Sequence, residues 1–228
     1  MRLDQLINFR GLTSSRSKAH ELIKKGRVLV NKKVCKKPSK DIEETAELIV
    51  LGKSHWVSRG AKKLSFALDF FDIKISGKNV LDVGSSTGGF TQVLLKRGAK
   101  KIYALDVGSN QLSLDLKKVP NIISMEKKDI RNLEHSFDLF FDMVVVDISF
   151  ISLSKVINHV KRVTKVSGEI VLLFKPQFEV GKINLTKNGI VKDPKIALYT
   201  LFSMISELEK IGLEYKKRVL SEIRGKTG

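Results

Sequence analysis

At 228 residues, 42% hydrophobic and 29% charged, the chain is predicted to be globular, as one large domain or a catalytic domain with a small appendage. Its single cysteine, Cys35, excludes a disulfide framework and a cysteine-built zinc cluster; no metal site is expected, no apolar run nears the ~20 residues of a membrane span, and Met1-Arg-Leu-Asp-Gln5 lacks the apolar core of a secretion signal, so a cytoplasmic protein is expected. The formal net charge is +18, and residues 1–40 hold twelve Lys/Arg against two acids, Asp4 and Glu21, an asymmetry that points to a polyanionic partner, most simply nucleic acid, over a merely soluble basic surface.

In chain order, Leu3, Leu6, Ile7 and Leu12 keep a helical spacing over residues 2–10, which Gly11 ends. Thr13-Ser-Ser15 offers an N-cap to a second helix carrying Ala19, Leu22 and Ile23, and Gly26 stops it. Arg27–Asn31 reads as a strand, Asn31-Lys32 as a turn and Lys33–Cys35 as the partner strand. Pro38-Ser39 breaks the chain before a short strand over Ala46–Leu51. Arg10, Arg16, Lys18, Lys24, Lys25, Arg27 and Lys33 crowd around these elements, and the stretch Ser17-Lys-Ala-His-Glu-Leu-Ile-Lys-Lys-Gly-Arg-Val-Leu-Val-Asn31 resembles the S4-type RNA-binding domain. That resemblance implies a small α+β domain over residues 1–51 that grips RNA through phosphate contacts. Residues 52–60 read as a linker; its Trp56 is expected to pack between domains rather than to stack on a base, and Arg59 joins the candidate RNA contacts.

Beyond the linker, Leu64, Ala67, Leu68 and Phe71 mark a helix from Lys63, and residues 61–228 then alternate as a doubly wound α/β domain does. Strands are expected at 80–83, 101–107, 121–124, 143–148 and 169–174, with 143–148 central because it is so apolar. Helices are expected at 90–97, 111–117, 153–163 and 194–208, with a last strand over 214–220.

The organising stretch is Asn79-Val-Leu-Asp-Val-Gly-Ser-Ser-Thr-Gly-Gly-Phe90, a buried strand breaking through a small-residue turn into a helix, where an α/β protein holds a nucleotide-like ligand. A dinucleotide turn requires Gly-x-Gly-x-x-Gly and a phosphate loop requires Gly-Lys-Ser/Thr; neither is present. Asp82 within the first strand, Asp106 ending the second and placed to take both hydroxyls of a ribose, and no cation placed for phosphates suit a cationic nucleoside, S-adenosylmethionine. The expected cofactor contacts are Asp82, Gly84, Ser85, Ser86, Thr87, Gly88, Gly89, Phe90, Asp106, Val107, Asp129 (toward the adenine amino group) and Asp147.

Val57-Ser-Arg-Gly-Ala-Lys-Lys-Leu64, Gly84–Phe90, Ala104-Leu-Asp-Val-Gly108, Val146-Asp-Ile-Ser-Phe-Ile-Ser-Leu153 and Lys175-Pro-Gln-Phe-Glu179 together resemble the TlyA family, long labelled haemolysins and understood as ribosomal RNA ribose methyltransferases. The resemblance implies a Rossmann-like S-adenosylmethionine-dependent methyltransferase behind the RNA-binding domain, 2′-O-methylated cytidine in ribosomal RNA as product, and ribosomal RNA or ribosomal subunits as partner. Lys63, Asp147 and Lys175 fall on three positions of the family's Lys-Asp-Lys-Glu tetrad. A ribose hydroxyl is a poor nucleophile, so Lys175 is expected as base or oxyanion stabiliser, Lys63 as the tuner of its proton affinity and a ribose positioner, and Asp147 as the orienter of Lys175. The bland readings are a strand-end cap for Asp147 and a solvated lysine for Lys175.

Against the family's C-terminal pattern, Ser221-Glu-Ile-Arg-Gly-Lys-Thr-Gly228 places Glu222 in a proline slot and stops before the catalytic glutamate. The expectation is therefore a truncated last strand, an open sheet edge, and a form that binds cofactor and RNA more readily than it methylates. A non-catalytic RNA-binding or ribosome-assembly factor is the second reading. A pore-forming cytolysin, after the family's old label, is a remote third, because no membrane-inserting stretch is apparent.

Overall fold

A computed structural model describes residues 1–13, 15–51, 56–133, 140–221 and 223. The chain divides into two compact units, Met1–His55 and Trp56–Gly228. Residues 52–55 of the expected linker, and Glu222 with residues 224–228 of the C-terminal departure, lie outside the described residues.

In the first unit, α1 (Leu3–Phe9) and α2 (Arg16–Lys24) pack on a three-stranded antiparallel sheet of order β2-β1-β3, with β1 at Val28–Val30, β2 at Lys33–Val34 and β3 at Leu48–Val50. Ser15 caps α2 by accepting from the Lys18 amide at 3.2 Å. Asn31 and Lys32 adopt φ of +48° and +63°, the left-handed pair of a two-residue hairpin turn between β1 and β2. Leu3, Leu6, Ile7, Ala19, Ile23 and Val28 are all nearly inaccessible to solvent and form the core.

The second unit opens with α3 (Gly60–Phe71), then alternates β4 (Asn79–Val83), α4 (Gly89–Lys96), β5 (Lys101–Asp106), α5 (Leu114–Lys117), β6 (Ile122–Glu126), β7 (Phe141–Val146), α6 (Ile157–Val163), β8 (Thr164–Leu172), α7 (Pro176–Glu179) and α8 (Pro194–Lys210). The five strands are parallel in the order β6-β5-β4-β7-β8, so the chain reverses its winding direction beside β4. Both sheet faces are covered, which is why the strands read as continuous apolar runs rather than alternating ones. Val80, Ile102, Met143 and Val145 face α3 and α4 through Leu64, Leu68, Val93 and Leu94. Their neighbours Leu81, Tyr103, Leu105, Val144 and Val146 face the other way, onto Val156, Val160 and Met204. Each fully buried aliphatic side chain of this kind contributes about 1.5–3 kcal/mol.

Several boundaries depart from expectation. The helix over 111–117 shortens to Leu114–Lys117, because the amides of Asn110, Gln111 and Leu112 all donate to the Glu126 carboxylate and hold that segment as a loop. Strand β8 begins at Thr164, directly after α6, through an irregular pairing with Phe141. No strand forms over Glu214–Leu220. Lys216, Lys217 and Arg218 follow one another there and break the period-2 pattern; Lys216 pairs with Glu214, and Arg218 lies over the Phe202 ring at 4.7 Å. Among the described residues β8 is therefore the edge of the sheet.

Candidate active site

The site is assembled at the C-terminal ends of β4, β5, β7 and β8. Leaving β4, Gly84 takes φ of +83°, and a Cβ there would stand 2.6 Å from the Asp147 carbonyl oxygen, so glycine lets the β4 and β7 ends close together. Gly88, at φ +93°, caps α4 where a Cβ would overlap Leu116 Cδ1 at 2.4 Å. The turn between them and the ends of β7 and β8 enclose a cleft of about 200 Å³ lined by Ser85, Ser86, Thr87, Phe90, Asp147 and Lys175, with the backbone of Gly84 and Gly89. Ser58, Gly60 and Ser149 complete the lining and were not singled out from the sequence.

Asp147 follows β7 and Lys175 follows β8, two parallel neighbours whose register aligns Val146 with Leu172. Lys175 Nζ lies 2.5 Å from Asp147 Oδ1 and donates to Ser149 Oγ at 2.8 Å. Lys63, on the first turn of α3, is half-buried, and its proton affinity is lowered by that burial. The Asp147 charge opposes this lowering, while Lys175 and Arg59 reinforce it. The three residues expected for catalysis thus form one electrostatic cluster, although Lys63 does not itself line the cleft.

The two strand ends are bound to one another beyond this pair. Glu179 accepts from Ser152 Oγ at 2.6 Å and from the Leu153 amide at 3.0 Å. Between Asp147 and Ser152 sits Phe150, at φ +69° and 92% exposed, its ring centroid 5.3 Å from that of Phe178. A bulky residue in the left-handed region is uncommon and costs about 1 kcal/mol or more, and here it presents an aromatic face to solvent at the end of a site-bearing strand.

The other expected cofactor residues divide. Asp106 accepts from the Ser86 and Gly108 amides, each at 2.7 Å, so its carboxylate is fixed at the tip of β5 with lone pairs left for a diol, and Val107 beside it is 70% exposed. Asp129 is held by Arg131 through side-chain and backbone bonds of 2.6–3.1 Å, and so meets a guanidinium instead of standing open for an adenine amino group. Asp82 corrects the expectation of a direct contact: it is fully buried beneath the turn and accepts from Thr91 Oγ1 at 2.6 Å, clipping α4 to β4. Burial pushes its carboxyl up to about 7, against the Thr91 hydrogen bond.

Among the cations of the first unit, Lys24, Arg27 and Lys33 are exposed. Lys18 and Lys25 pair with Glu21 at 3.0 and 2.6 Å, and Arg16 reaches the buried Asp4 at 2.9 Å. Arg10 donates to the carbonyls of Ala46 (2.7 Å) and Glu44, so its guanidinium braces its own chain rather than standing ready for RNA. In the second unit Arg59 is exposed before α3, and Trp56, expected between the domains, packs on the core of its own unit with Lys96 Nζ 4.4 Å from its ring centre.

A parallel sheet of this order with a glycine turn after its first strand and an acid ending its second is the Rossmann-like arrangement that holds a nucleoside cofactor, and the match to a methyltransferase family assigns it to the S-adenosylmethionine-dependent class. Residues 56–228 match the FtsJ-like methyltransferase family, and residues 1–48 match the S4 domain. The 16S/23S rRNA (cytidine-2′-O)-methyltransferase TlyA of Mycobacterium tuberculosis is 39% identical over 214 residues, 92% of this chain and 80% of that protein. Hemolysin A of Brachyspira hyodysenteriae is 40% identical over 232 residues, 100% of this chain and 96% of that protein. A solved structure described as a hemolysin from Streptococcus thermophilus superposes with a TM-score of 0.77 at 34% identity, over 100% of this chain and 84% of that one. The chain belongs to the TlyA family of FtsJ-like methyltransferases.

Proposed function

We propose that this chain binds S-adenosylmethionine and methylates the 2′-oxygen of cytidine in ribosomal RNA, with the first unit gripping the RNA. The observation that carries the reading is the Lys175–Asp147 pair at 2.5 Å on the wall of the glycine-turn cleft, with a desolvated Lys63 beside it. The residues present fit the cofactor. The turn offers the cleft the bare backbone of Gly84 and Gly89 beside the small side chains of Ser85 and Ser86, and Asp106 is anchored where a ribose diol would sit. S-adenosylmethionine, when bound, supplies an electrophilic methyl group.

The protein's own residues prepare the acceptor. Asp147 holds Lys175 Nζ at the cleft wall, placed to take the proton of a 2′-hydroxyl or to stabilise the oxyanion. Lys63 adds a second cation, whose burial and whose repulsion from Lys175 favour its own neutral amine. Phe150 supports a single-stranded acceptor, because an exposed ring is a platform for an unstacked base. No described helix is long and apolar enough to cross a membrane, and RNA chemistry of this kind suits a cytosolic location.

The test is incorporation of labelled methyl groups from S-adenosylmethionine into ribosomal subunits and free ribosomal RNA, with the modified riboses mapped. Methylated cytidine that disappears with Lys175→Ala is the expected result. RNA binding without methyl incorporation would replace this reading with that of a non-catalytic RNA-binding factor.

A further inference from the structure

Lysine Nζ is tetrahedral, and one of its four directions is taken by Cε. In this site it donates to Ser149 Oγ at 2.8 Å, while Asp147 Oδ1 stands 2.5 Å away as its charge partner. The Phe178 ring centre, 5.9 Å from Nζ, is too far to occupy a hydrogen-bond direction. An ion pair sets distance rather than direction, so Asp147 alone would leave the group free to turn about the Cε–Nζ bond, and its N–H directions would sweep around a cone. The Ser149 bond stops that rotation, and all three residues line the same cleft.

We propose that Ser149 is a positioning residue for Lys175, turning Nζ toward the acceptor oxygen; this rests on the methyltransferase reading above. When Ser149 Oγ accepts one N–H of Lys175, the turn of the group about Cε–Nζ is set, and the neutral amine's lone pair, or a further N–H of the ammonium, lies along one of two fixed directions. The O–H of a 2′-hydroxyl on that side then meets a lone pair already aligned. Its proton forms the new N–H bond as the O–H bond breaks, and the resulting ammonium keeps both of its earlier partners.

The backbone makes Ser149 suitable for this. It lies two residues past Asp147 on a segment held at one end by the close approach of Gly84 to the Asp147 carbonyl. At the other end Glu179 grips Ser152 and Leu153. The serine is therefore carried by fixed chain, although the residue itself is exposed.

The experiment compares Ser149→Ala and Ser149→Thr with the unaltered full chain. Misplacing a reacting group by about 1 Å costs up to ~100-fold in rate, so Ser149→Ala is expected to lower kcat about 10- to 100-fold, with KM for RNA and Kd for S-adenosylmethionine within about twofold. Threonine keeps the hydroxyl and is expected to restore most of kcat. A readout independent of activity is trace acetylation of the intact protein, followed at Lys175 by peptide mass spectrometry; the alanine variant is expected to be labelled several-fold faster and the threonine variant not. Alanine kcat within about twofold of the unaltered chain, or a threonine variant as slow as alanine, overturns the proposal. So does a loss carried equally by cofactor Kd. If the unaltered chain transfers no methyl group, the methyltransferase reading fails by itself. Lys175 labelling then decides the serine's role: a rise with alanine sustains it, and no change overturns it.

Discussion

Two regions of this protein are rich in cations and use them in opposite ways. In the first unit Lys24, Arg27 and Lys33 project into water, and the pairs formed by Lys18 and Lys25 with Glu21 are themselves exposed. The Lys25 and Lys18 ammonium groups pull the Glu21 carboxyl down to about 2, yet helix-surface pairs of this sort stabilise by only about 0.3–0.5 kcal/mol. Beside the ends of β7 and β8, Lys175 pairs with Asp147 in partial burial, and half-buried Lys63 on α3 has its proton affinity lowered by burial and by the Lys175 charge, against the pull of Asp147. Burial, not residue type, decides whether a lysine supplies attraction or chemistry. Surface cations act at a distance, add roughly independently and fade with salt; clustered, desolvated ones act as a unit and fail together.

Lys175→Ala has the largest expected effect. It is expected to cost about 10³-fold or more in methyl transfer, as loss of a positioned acid–base group does, while cofactor affinity read by calorimetry changes little. Lys63→Ala combined with it should add far less than its own single cost. Strictly additive losses would show that the two lysines are not one unit.

Next in size is the pH response of Asp82. Its folded-state carboxyl titrates near 7 because it is buried, whereas the unfolded chain releases that proton near 3.8. Between those values the unfolded state has shed a proton the native state still holds, so this group's contribution to stability falls as pH rises from about 4 to 7 and is level above that. Asp82→Asn removes the fall. The stability difference between variant and unaltered protein should therefore move in the variant's favour by an amount on the order of a few kcal/mol across that window in denaturant titrations. A difference that stays constant from pH 4 to 8 would mean that Asp82 is ionised throughout.

Smaller again is the joint replacement Lys24→Ala, Arg27→Ala and Lys33→Ala. RNA affinity is expected to fall about 10- to 100-fold near physiological salt, and the slope of log affinity against log salt to shrink by up to about 3. The loss should converge with that of the unaltered chain as salt rises. An effect independent of salt would contradict the view that these cations act through long-range attraction.

Much of this architecture was legible in the sequence because its signals are local. The run Met143–Val146 is apolar on both faces, as a covered parallel strand must be, Val80–Val83 departs from this only at Asp82, and the left-handed turn at Asn31-Lys32 needs only two residues to specify it. What stayed hidden depends on partners distant in the chain. The helix over 111–117 loses its first turn to Glu126, fourteen residues or more away. Asp82 reads as a ligand contact until α4 folds over it and Thr91 claims it. Ser149 stands in one of the motifs that carry the resemblance, yet nothing local gives it a task, and its bond appears only when Lys175, 26 positions on, returns beside it across the β7–β8 register.

Arg10 gives the smallest test and the most direct one, because it lies in the basic unit yet behaves structurally. Its guanidinium donates to the carbonyls of Ala46 and Glu44, more than thirty residues away, and so ties the end of α1 to the segment before β3. A hydrogen bond from a charged donor is worth about 1.5–3 kcal/mol, and partial exposure of this pair places Arg10→Ala near the lower end. Lys24→Ala, on the exposed last turn of α2, removes no such brace and should leave the unfolding midpoint within about 0.5 kcal/mol while weakening RNA binding. The two alanine variants should therefore separate: Arg10 shifts the denaturation midpoint more than its share of the salt slope, and Lys24 the reverse. If both move RNA affinity alike and neither moves stability, the division between bracing and gripping cations within this unit is wrong. Arg10 would then return to the RNA-facing set that its position in the sequence suggests.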